Sequence, residues 1–496
     1  MILSGEKLER PLEEVFDYVV VGSGAAGATA ARILADTGRS LAVLEEGPAV
    51  DSREFSDLAY PSFKRLLRGM GCQTARGGGF MPVLQGRCLG GSTVVNSAIV
   101  WRLPEEVLAD WSSEYGLGKA LPPKELNENW DTIERELSVA PTPPEAWGEF
   151  NRLMDKARST MRVSAGPTIR NVRGCRASAR CLTGCPYGAK QSMAVSYLPY
   201  AEKKGAALVT GARVERVLWD GERAAGVAGS LEGPGRNFRV YARKAVILAA
   251  SAIQTPGILR RSGLANPHLG EHFQAHPGCA LIGIFDHEVG MWSGATQGYE
   301  ADHHRSLGRF KVETISLPPE LVLARFPGAG KRWAQSMAEA TQAAIWAVQL
   351  RAWAEGSVRE RLFGANIRFA PCPRDMVNLR RALRFTAEML FAAGARAVLP
   401  GIYGLPERLL PGEASMLEAA PEDPSCYAMI LSHLFGTARM SPRPAEGVVG
   451  PDFCVHGAER LYVIDSSVFP TNTGVNPQHP IMGIAMLAAR RLAEGP

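Results

Sequence analysis

A glycine-rich turn between an apolar strand and a helix, near the start of the chain, constrains the fold more than any other feature. Residues 16–21 (FDYVVV) are typical of a buried parallel strand, and a second such strand at 40–44 is followed by Glu45. Between them lies the pattern G-x-G-x-x-G, formed by Gly22, Gly24 and Gly27. Such glycines let the backbone approach a pyrophosphate at the helix N-terminus, and a carboxylate after the next strand can accept from a ribose hydroxyl. The sequence therefore predicts a dinucleotide-binding βαβ unit with Glu45 as the ribose ligand.

The composition is that of an ordinary globular protein. Of the 496 residues, 46% are hydrophobic and 21% are charged, which argues against a disordered, collagenous or coiled-coil protein. The net charge of +5 comes from scattered side chains, too diffuse for a nucleic-acid-binding surface, and no apolar run is long enough to predict a membrane span. The N-terminus lacks the pattern of a secretory signal, and nine cysteines favour a reducing compartment over a disulfide scaffold. We therefore expect a cytoplasmic protein without nucleic-acid partners.

Three later segments contain further motifs. Residues 86–96 (GRCLGGSTVVN) form a second glycine-rich stretch. Residues 249–263 are expected to run from a strand end into a helix that Pro256 opens, because proline suits the first turn of a helix. The C-terminal region contains SHLFGTARM at 432–440 and GVNPQ at 474–478. Together with the N-terminal unit, and in this order, these segments resemble the glucose–methanol–choline (GMC) family of FAD-dependent oxidoreductases over nearly the whole chain.

The resemblance implies a set of FAD contacts. The first glycine-rich turn and Glu45 would hold the ADP half, and the second stretch would line the pyrophosphate and isoalloxazine. The backbone of Val214 would meet the adenine, and Asp465 would lie beside the ribityl chain. The implied FAD-binding residues are Gly22, Gly24, Gly27, Glu45, Arg87, Gly90, Gly91, Ser92, Asn96, Val214, Asp465, Asn476 and Pro477. Some family members tether FAD covalently through a histidine at the position of Val95, so we expect noncovalent FAD.

The resemblance also implies a catalytic pair, His433 and Asn476, which lie 43 residues apart. Alcohol oxidation requires removal of the hydroxyl proton, or stabilisation of the alkoxide, while hydride leaves carbon. An imidazole suits the first task and an amide can orient the substrate oxygen. A His/Asn pair resembles the cholesterol-oxidase and long-chain-alcohol-oxidase branches of the family. His479 is a weaker second candidate, and the remaining histidines, His276 among them, are expected to be structural or exposed.

Three cysteines lie within eleven residues as Cys175-x5-Cys181-x3-Cys185, followed by proline. Thiolates at close spacing suit iron or zinc, and a proline after the last cysteine occurs in ferredoxin ligand motifs. The segment resembles loops of long-chain alcohol oxidases and of FAD-dependent glucose dehydrogenases that hold a three-iron cluster. Three interpretations stay open: packed free thiols, ligands of a [3Fe–4S] cluster, or a disulfide.

The expected fold class is α/β, with a discontinuous Rossmann-like FAD-binding domain and an α+β substrate-binding domain on an antiparallel sheet. The FAD-binding pieces are predicted at 15–105, 205–275 and 425–496, and the substrate-binding pieces at 106–204 and 276–424. Two helices are predicted in the second substrate-binding piece, around 334–355 and 376–393.

The predicted function is FAD-dependent oxidation of an alcohol, hydrophobic, long-chain or sterol-like, to an aldehyde or ketone. Oxygen, a quinone or a redox protein would reoxidise the flavin. One alternative is a sugar or glycoside dehydrogenase that passes electrons through an iron–sulfur cluster. Another is a non-oxidative FAD-dependent lyase or decarboxylase of the same fold, and a third is an electron-transfer subunit in which His433 is dispensable.

Overall fold

The computed structural model describes residues 2–232, 236–361 and 364–495. The strands are β1 (Ile2–Ser4), β2 (Glu13–Val21), β3 (Leu41–Leu44), β4 (Thr74–Arg76), β5 (Met81–Pro82), β6 (Val139–Pro141), β7 (Gly166–Pro167), β8 (Ile169–Asn171), β9 (Ala207–Thr210), β10 (Ala212–Asp220), β11 (Arg223–Leu231), β12 (Asn237–Leu248), β13 (Gln274–Ile284), β14 (Tyr299–Ala301), β15 (Phe310–Ile315), β16 (Ala343–Leu350), β17 (Ser357–Arg361), β18 (Gly364–Arg368), β19 (Ala397–Leu399), β20 (Ile430–Phe435) and β21 (Leu461–Val463). The α-helices are α1 (Ala25–Leu34), α2 (Ala59–Leu66), α3 (Glu105–Ser113), α4 (Pro123–Glu136), α5 (Glu149–Met161), α6 (Tyr197–Lys203), α7 (Ser251–Arg261), α8 (Pro319–Leu323), α9 (Lys331–Met337), α10 (Pro373–Ala393) and α11 (Gln478–Glu494). Within the described residues, every helix is too short or too polar to span a bilayer.

The first large sheet contains the predicted βαβ unit. Its strand order is β1-β9-β3-β2-β12-β11-β10, and β21 also pairs with β12. β2 runs parallel to β3 and to β12, and α1 connects β2 to β3. Gly22 has φ +97°, and a Cβ there would lie 2.4 Å from the carbonyl oxygen of Ala249, so only glycine allows this turn from β2 into α1.

The second large sheet is antiparallel throughout its paired strands. Its order is β19-β13-β16-β15-β14-β7, with β20 also paired to β13. Helices α5 and α10 contact this sheet, and α10 also contacts α5. A smaller sheet has the order β17-β18-β4-β5. The mixed architecture confirms the predicted α/β fold class with an antiparallel second sheet.

Each large sheet has its own hydrophobic core, and the membership of the two cores differs from the predicted domain pieces in several regions. Residues 107–137 and 193–201, predicted to belong to the substrate-binding domain, contribute buried side chains to the core of the first sheet. Trp111 and Trp130 are examples, because α3 and α4 pack beside α11 and the C-terminal loops. The predicted pieces 205–275, 276–424 and 425–496 include residues 233–235, 362–363 and 496, which lie outside the described residues.

The predicted helix at 334–355 is wrong. The short helix α9 ends at Met337, and residues 343–350 (AAIWAVQL) form strand β16. β16 pairs with β13 and β15, and its side chains are buried on both faces of the sheet. A strand buried on both faces reads as a continuous apolar run, which periodicity alone does not separate from a buried helix. The helix predicted at 376–393 is present within α10.

The helix predicted to open at Pro256 begins earlier, at Ser251, and Pro256 lies inside α7. Proline has no N–H, so it leaves the carbonyl of Ala252 without its helical partner. The hydroxyl of Thr437 donates to that carbonyl at 2.6 Å. A side chain from a distant segment therefore compensates for the proline, which sequence reasoning had no means to foresee.

Candidate active site

A cavity of about 1370 Å³ is lined by residues of both large sheets. The predicted site residues that line it are Gly22, Gly24, Glu45, Gly91, Ser92, Asn96, Val214, His433, Asp465, Asn476 and Pro477. Motifs separated by hundreds of residues thus meet around one cavity. Gly27, Arg87 and Gly90 are not among the lining residues.

The two glycine-rich turns touch each other at the wall of the cavity. A Cβ on Gly91 would lie 2.9 Å from the Cα of Gly24. A Cβ on Gly24 itself would meet nothing within 4 Å, because this glycine faces the open cavity. Gly27 has a packing role instead, since a Cβ there would lie 1.9 Å from the carbonyl oxygen of Gly22. The first turn therefore offers bare backbone to a ligand at Gly24 and close helix–strand packing at Gly27.

The acid Glu45 is buried and fully engaged with the backbone of the glycine-rich turn. One carboxylate oxygen accepts from the backbone N–H of Ser23 at 3.1 Å and from its hydroxyl at 2.6 Å. The other accepts from the N–H of Gly47 at 2.8 Å. Burial raises the pKa of Glu45, and these hydrogen bonds partly offset the rise. Glu45 therefore holds two loops of the cradle together as well as facing the cavity.

Asp465 also lines the cavity and caps the N-terminus of α7. One carboxylate oxygen accepts from the N–H of Ser251 at 2.9 Å and from the hydroxyl of Thr255 at 2.6 Å, and the other accepts from the N–H of Ser467 at 2.8 Å. A carboxylate at a helix N-terminus is stabilised by the unpaired N–H groups there. The residue implied to lie beside the ribityl chain is thus also a helix cap.

Arg87 and Gly90 take structural roles outside the cavity lining. The guanidinium of Arg87 contacts the carboxylate of Glu46 at 3.4 Å and that of Glu232 at 3.6 Å. The N–H of Gly90 donates to the hydroxyl of Ser23 at 3.0 Å, which connects the second glycine-rich stretch to the first.

His433 lies on β20 and contacts a second imidazole. Its Nδ1 is 3.1 Å from Nδ1 of His276. The pKa of His433 is lowered to about 4, mainly because the ring is buried; the charge of Glu313 opposes this shift and the positive charge of Lys311 adds to it. The ring is therefore neutral near pH 7, the state that can accept a proton.

His276 is a functional candidate that sequence reasoning assigned to the structural or exposed histidines. It lines the cavity with 2% of its surface exposed. Its Nε2 lies 3.2 Å from Oδ1 of Asn472 and accepts from the N–H of Gly474 at 2.9 Å. Burial and the neighbouring His433 hold its pKa well below the usual range. His276 is a single histidine in an apolar strand, so no local spacing distinguishes it from a core residue.

Asn476 is held by a buried cluster of charges that the sequence did not indicate. Nζ of Lys311, which is fully buried, donates to Oδ1 of Asn476 at 2.5 Å. The same ammonium lies 2.5 Å from a carboxylate oxygen of Glu300 and 2.7 Å from one of Glu313. Because Lys311 can only donate, Oδ1 of Asn476 must be the acceptor in this contact. The amide NH₂ of Asn476 therefore points away from the ammonium.

The two carboxyl groups of this cluster differ in protonation tendency. Burial raises the pKa of Glu300, and attraction to Lys311 offsets only part of the rise. Burial also acts on Glu313, but the charge and hydrogen bond of Lys311 lower its pKa overall. Glu313 lines the cavity, and Nε2 of Gln297 donates to its second oxygen at 2.6 Å. An anionic carboxylate is therefore kept beside His433 and Asn476.

His479, the weaker second candidate, does not line the cavity. It is fully buried in the first turn of α11, neither ring nitrogen has a hydrogen-bond partner, and burial lowers its pKa to about 3. The structure therefore places a neutral imidazole in the protein interior at this position.

Cys175, Cys181 and Cys185 lie around one small cavity of about 10 Å³, room for a single water molecule. All three are free thiols, so no disulfide joins them. Across residues 2–232, 236–361 and 364–495, no group of three or more His, Cys, Asp or Glu side chains is arranged to hold a metal ion. The buried ammonium of Lys190 lines the same cavity.

Comparisons with known proteins agree with this architecture. The family model described as GMC oxidoreductase matches residues 16–278 with its N-terminal part and 357–485 with its C-terminal part. An uncharacterized GMC-type oxidoreductase of Mycobacterium tuberculosis (strain H37Rv) is 37% identical over 95% of this chain and 75% of its own length. A long-chain-alcohol oxidase of Arabidopsis thaliana is 28% identical over 96% of this chain and 67% of its own. The solved structure of a formate oxidase variant from Aspergillus oryzae superposes with a TM-score of 0.75 and 16% identity, covering 98% of this chain and 99% of that one.

The chain belongs to the GMC oxidoreductase family, and the predicted resemblance is confirmed. The family implies FAD, and two observations show that the residues of the cavity fit it. Gly24 presents open backbone where a phosphate approaches a helix N-terminus. Nε2 of Gln478 is buried in the cavity lining without a partner, as expected of a donor that awaits a ligand acceptor.

Replacing Gly24 with alanine is expected to weaken FAD binding at least roughly tenfold without destabilising the apoprotein. The φ angle of −69° suits alanine, and the added methyl meets no protein atom, so only the ligand is obstructed. Titration of apoprotein with FAD, followed by flavin fluorescence, measures the affinity. Gly27→Ala is the matched control: its methyl collides with Gly22, so we expect it to lower the melting temperature of the apoprotein. Unchanged FAD affinity in Gly24→Ala would contradict this placement.

Proposed function

We propose that the protein oxidises the carbinol group of a hydrophobic alcohol, long-chain or sterol-like, to an aldehyde or ketone. The observation that supports this most directly is the convergence of His433 and Asn476 on the cavity that also contains the FAD cradle. When bound, FAD supplies the hydride acceptor, its N5 atom. The protein's own part is to bind the alcohol, orient its oxygen and accept its proton.

Nε2 of His433 is the proposed proton acceptor. For this nitrogen to have a free lone pair in the neutral ring, Nδ1 must carry the hydrogen and donate to Nδ1 of His276. His276 would then donate from Nε2 to Oδ1 of Asn472, a contact of 3.2 Å. The N–H of Gly474 favours the other arrangement, in which His276 carries its hydrogen on Nδ1 and His433 on Nε2. Exchange between the two neutral arrangements moves one hydrogen on each ring, from one nitrogen to the other. The proton-accepting state is the one in which His433 donates to His276.

Asn476 is proposed to donate to the substrate oxygen. Lys311 occupies Oδ1 of Asn476, and one N–H of the amide is engaged by the carboxylate of Glu313, so the second N–H is the proposed donor to the substrate. A donor directed at the carbinol oxygen stabilises the negative charge that develops as its proton leaves. His433 and Asn476 then have complementary roles, one accepting and one donating.

The apolar part of the cavity supports a hydrophobic substrate. The lining side chains of the second sheet and its neighbours include Ile315, Leu317, Leu321, Ile345, Ala347 and Ile430. Such a surface favours hydrocarbon over water. The Arabidopsis relative is named a long-chain-alcohol oxidase, in agreement with this substrate class.

The test is reduction of the FAD-loaded enzyme by alcohols without oxygen. Rapid bleaching of the flavin absorption by hydrophobic primary or secondary alcohols would support the proposal, and reoxidation with oxygen, a quinone or a redox protein would identify the acceptor. No bleaching by any alcohol would favour the alternative of a non-oxidative lyase or decarboxylase. Bleaching by sugars alone would favour the sugar dehydrogenase.

The iron–sulfur cluster stays a prediction, and the same preparation tests it. Protein purified without oxygen that shows a broad absorption beneath the flavin bands, together with about three iron atoms per chain, would establish a [3Fe–4S] cluster. A plain flavin spectrum without iron would leave Cys175, Cys181 and Cys185 as packed thiols. The proposed location is a reducing compartment, the cytoplasm, in agreement with the nine free cysteines.

The pH dependence of flavin reduction is expected to follow the lowered pKa of His433. The proton acceptor must be neutral, and with a pKa of about 4 it is neutral from pH 8 down to about pH 5. The rate should therefore stay level across that range and fall as the pH passes below about 5, when the imidazole takes up a proton. Stopped-flow reduction under anaerobic conditions measures this profile. A midpoint near 6.5, the value of an exposed histidine, would contradict the assignment.

A further inference from the structure

Gln349 is a buried amide without a hydrogen-bond partner in the wall of the cavity. It lies near the end of β16, only 6% of its surface is exposed, and it lines the cavity. Neither Oε1 nor Nε2 makes a hydrogen bond. Buried polar side chains in native proteins nearly always have partners, so an amide with two unmet atoms indicates a ligand that supplies them.

The strand register places this amide beside the reacting groups. Gln349 pairs with Lys311 on β15, and directly opposite side chains of neighbouring strands have Cβ atoms about 4.5–5.5 Å apart. Lys311 in turn holds Asn476. On its other side Gln349 pairs with Gly278 on β13, two residues after His276. The amide thus lies between the strand of Lys311 and the strand of His276.

Gly278 leaves the space beside Gln349 open. Glycine has no side chain, and a Cβ at this position would meet only carbonyl oxygens, at 3.6 Å. Two residues along β16, Ala347 pairs with Ala280 on one side and with Glu313 on the other. Ile345 follows on the same face and pairs with Ile282 and Ile315. The cavity wall is therefore polar beside Lys311, Gln349 and Glu313 and becomes apolar at Ile345 and Ile315.

We infer that Gln349 binds a second hydroxyl group of the substrate, adjacent to the carbinol, and that the substrate class is an amphiphilic 1,2-diol with an apolar tail. A hydroxyl both donates and accepts, so it can pair with the amide whichever of its two atoms faces the ligand. An ether or ketone oxygen could only accept. The apolar side chains beyond Ala347 would hold the tail. This inference rests on the proposed oxidation of an alcohol and names the kind of alcohol.

The test compares 1,2-octanediol with 1-octanol, two substrates with the same tail that differ in one hydroxyl. The FAD-loaded wild type is expected to show a kcat/KM at least about tenfold higher for the diol, because a site built to bind a hydroxyl rejects the analogue that lacks it. In Gln349→Met, which keeps the side-chain length but not the amide, this preference should fall to within about twofold of unity. Gln342→Met, the same change just before β16 and outside the cavity lining, should keep the wild-type preference.

A stability measurement separates this binding role from a structural one. Because the amide of Gln349 has no protein partner, Gln349→Met should leave the melting temperature of the apoprotein unchanged or raise it. A large fall would reveal a structural role and overturn the inference.

The other outcomes are also decisive. Equal kcat/KM for the two alcohols in the wild type would overturn the inference and leave the proposed oxidation intact, and this comparison needs no variant to fold. A preference that survives in Gln349→Met would overturn it as well. If neither alcohol reduces the flavin, both the proposed function and this inference are wrong.

Discussion

Replacing His433 with alanine is expected to slow flavin reduction by an alcohol at least about 10²-fold, the lower end of the effect of a general base. The imidazole is desolvated and neutral, its Nδ1 contacts His276, and the substrate cavity adjoins it. Alanine removes the proton acceptor and leaves no nearby side chain in its place on β20. Single-turnover reduction in a stopped-flow instrument without oxygen measures the chemical step apart from flavin reoxidation.

The matched control is His456→Ala. His456 contacts the carbonyl oxygen of Ser441 at 3.0 Å and does not line the cavity, so its loss should leave the reduction rate within about twofold. FAD content per chain should be equal in both variants and the wild type. If His433→Ala retains the wild-type rate with full FAD, His433 has no part in the reaction, as in the alternative of an electron-transfer subunit.

Replacing Lys311 with methionine is expected to lower the free energy of unfolding by about 3–5 kcal/mol, the usual cost of removing one partner from a buried ion pair. Lys311 is fully buried between Glu300 and Glu313. Methionine fills much of the same volume but leaves two carboxyl groups without a positive charge. Denaturant unfolding monitored by circular dichroism measures the loss.

The lowered pKa of Glu313 determines how the stability loss of Lys311→Met depends on pH. In the wild type the folded state keeps this group ionised more readily than the unfolded state, so its stabilisation is present above the unfolded pKa and is lost as the pH falls through the folded one. Without Lys311 that stabilisation disappears. The difference in the free energy of unfolding between the wild type and Lys311→Met should therefore be larger at pH 8 than at pH 4. Lys331→Met, at an exposed lysine of α9, should change the free energy of unfolding by less than about 0.5 kcal/mol. An unchanged free energy in Lys311→Met would mean that the cluster is not the ion pair described.

The same variant should also impair the reaction, because Lys311 directs the amide of Asn476. Once the ammonium is lost, Oδ1 of Asn476 is no longer restricted to accepting from it, and the amide can rotate. Lys311 acts here as a positioning residue, whose effect on the reduction rate should be smaller than that of removing His433.

Sequence reasoning found the parts of the site that are encoded by short, contiguous motifs. The strand, glycine-rich turn and helix around Gly24 are local, so their geometry follows from neighbouring residues. His433 and Asn476 were found because each lies in a recognisable segment of a known family. The structure brings these three positions to one cavity.

The remaining site residues come from strands of the antiparallel sheet and carry no local signal. His276 and Gln349 each occur singly in mostly apolar strands, and Lys311 and Glu313 alternate with apolar residues along β15. Their meeting depends on the pairing of β13, β16 and β15, which joins segments separated by tens of residues. A buried lysine between two glutamates is read from sequence as ordinary surface charge, because burial is decided only when the strands pair.

By itself the sequence determined the α/β class, the family and the nucleotide cradle, since a strand, a glycine-rich turn and a helix in succession allow few backbone paths. Only the tertiary structure decided that residues 343–350 form a strand and not a helix, and that Arg87 contacts Glu46 and Glu232. Both outcomes depend on partners far along the chain. Hydrogen bonds between strands and contacts between charged side chains form across the fold, and no local pattern of residues specifies them.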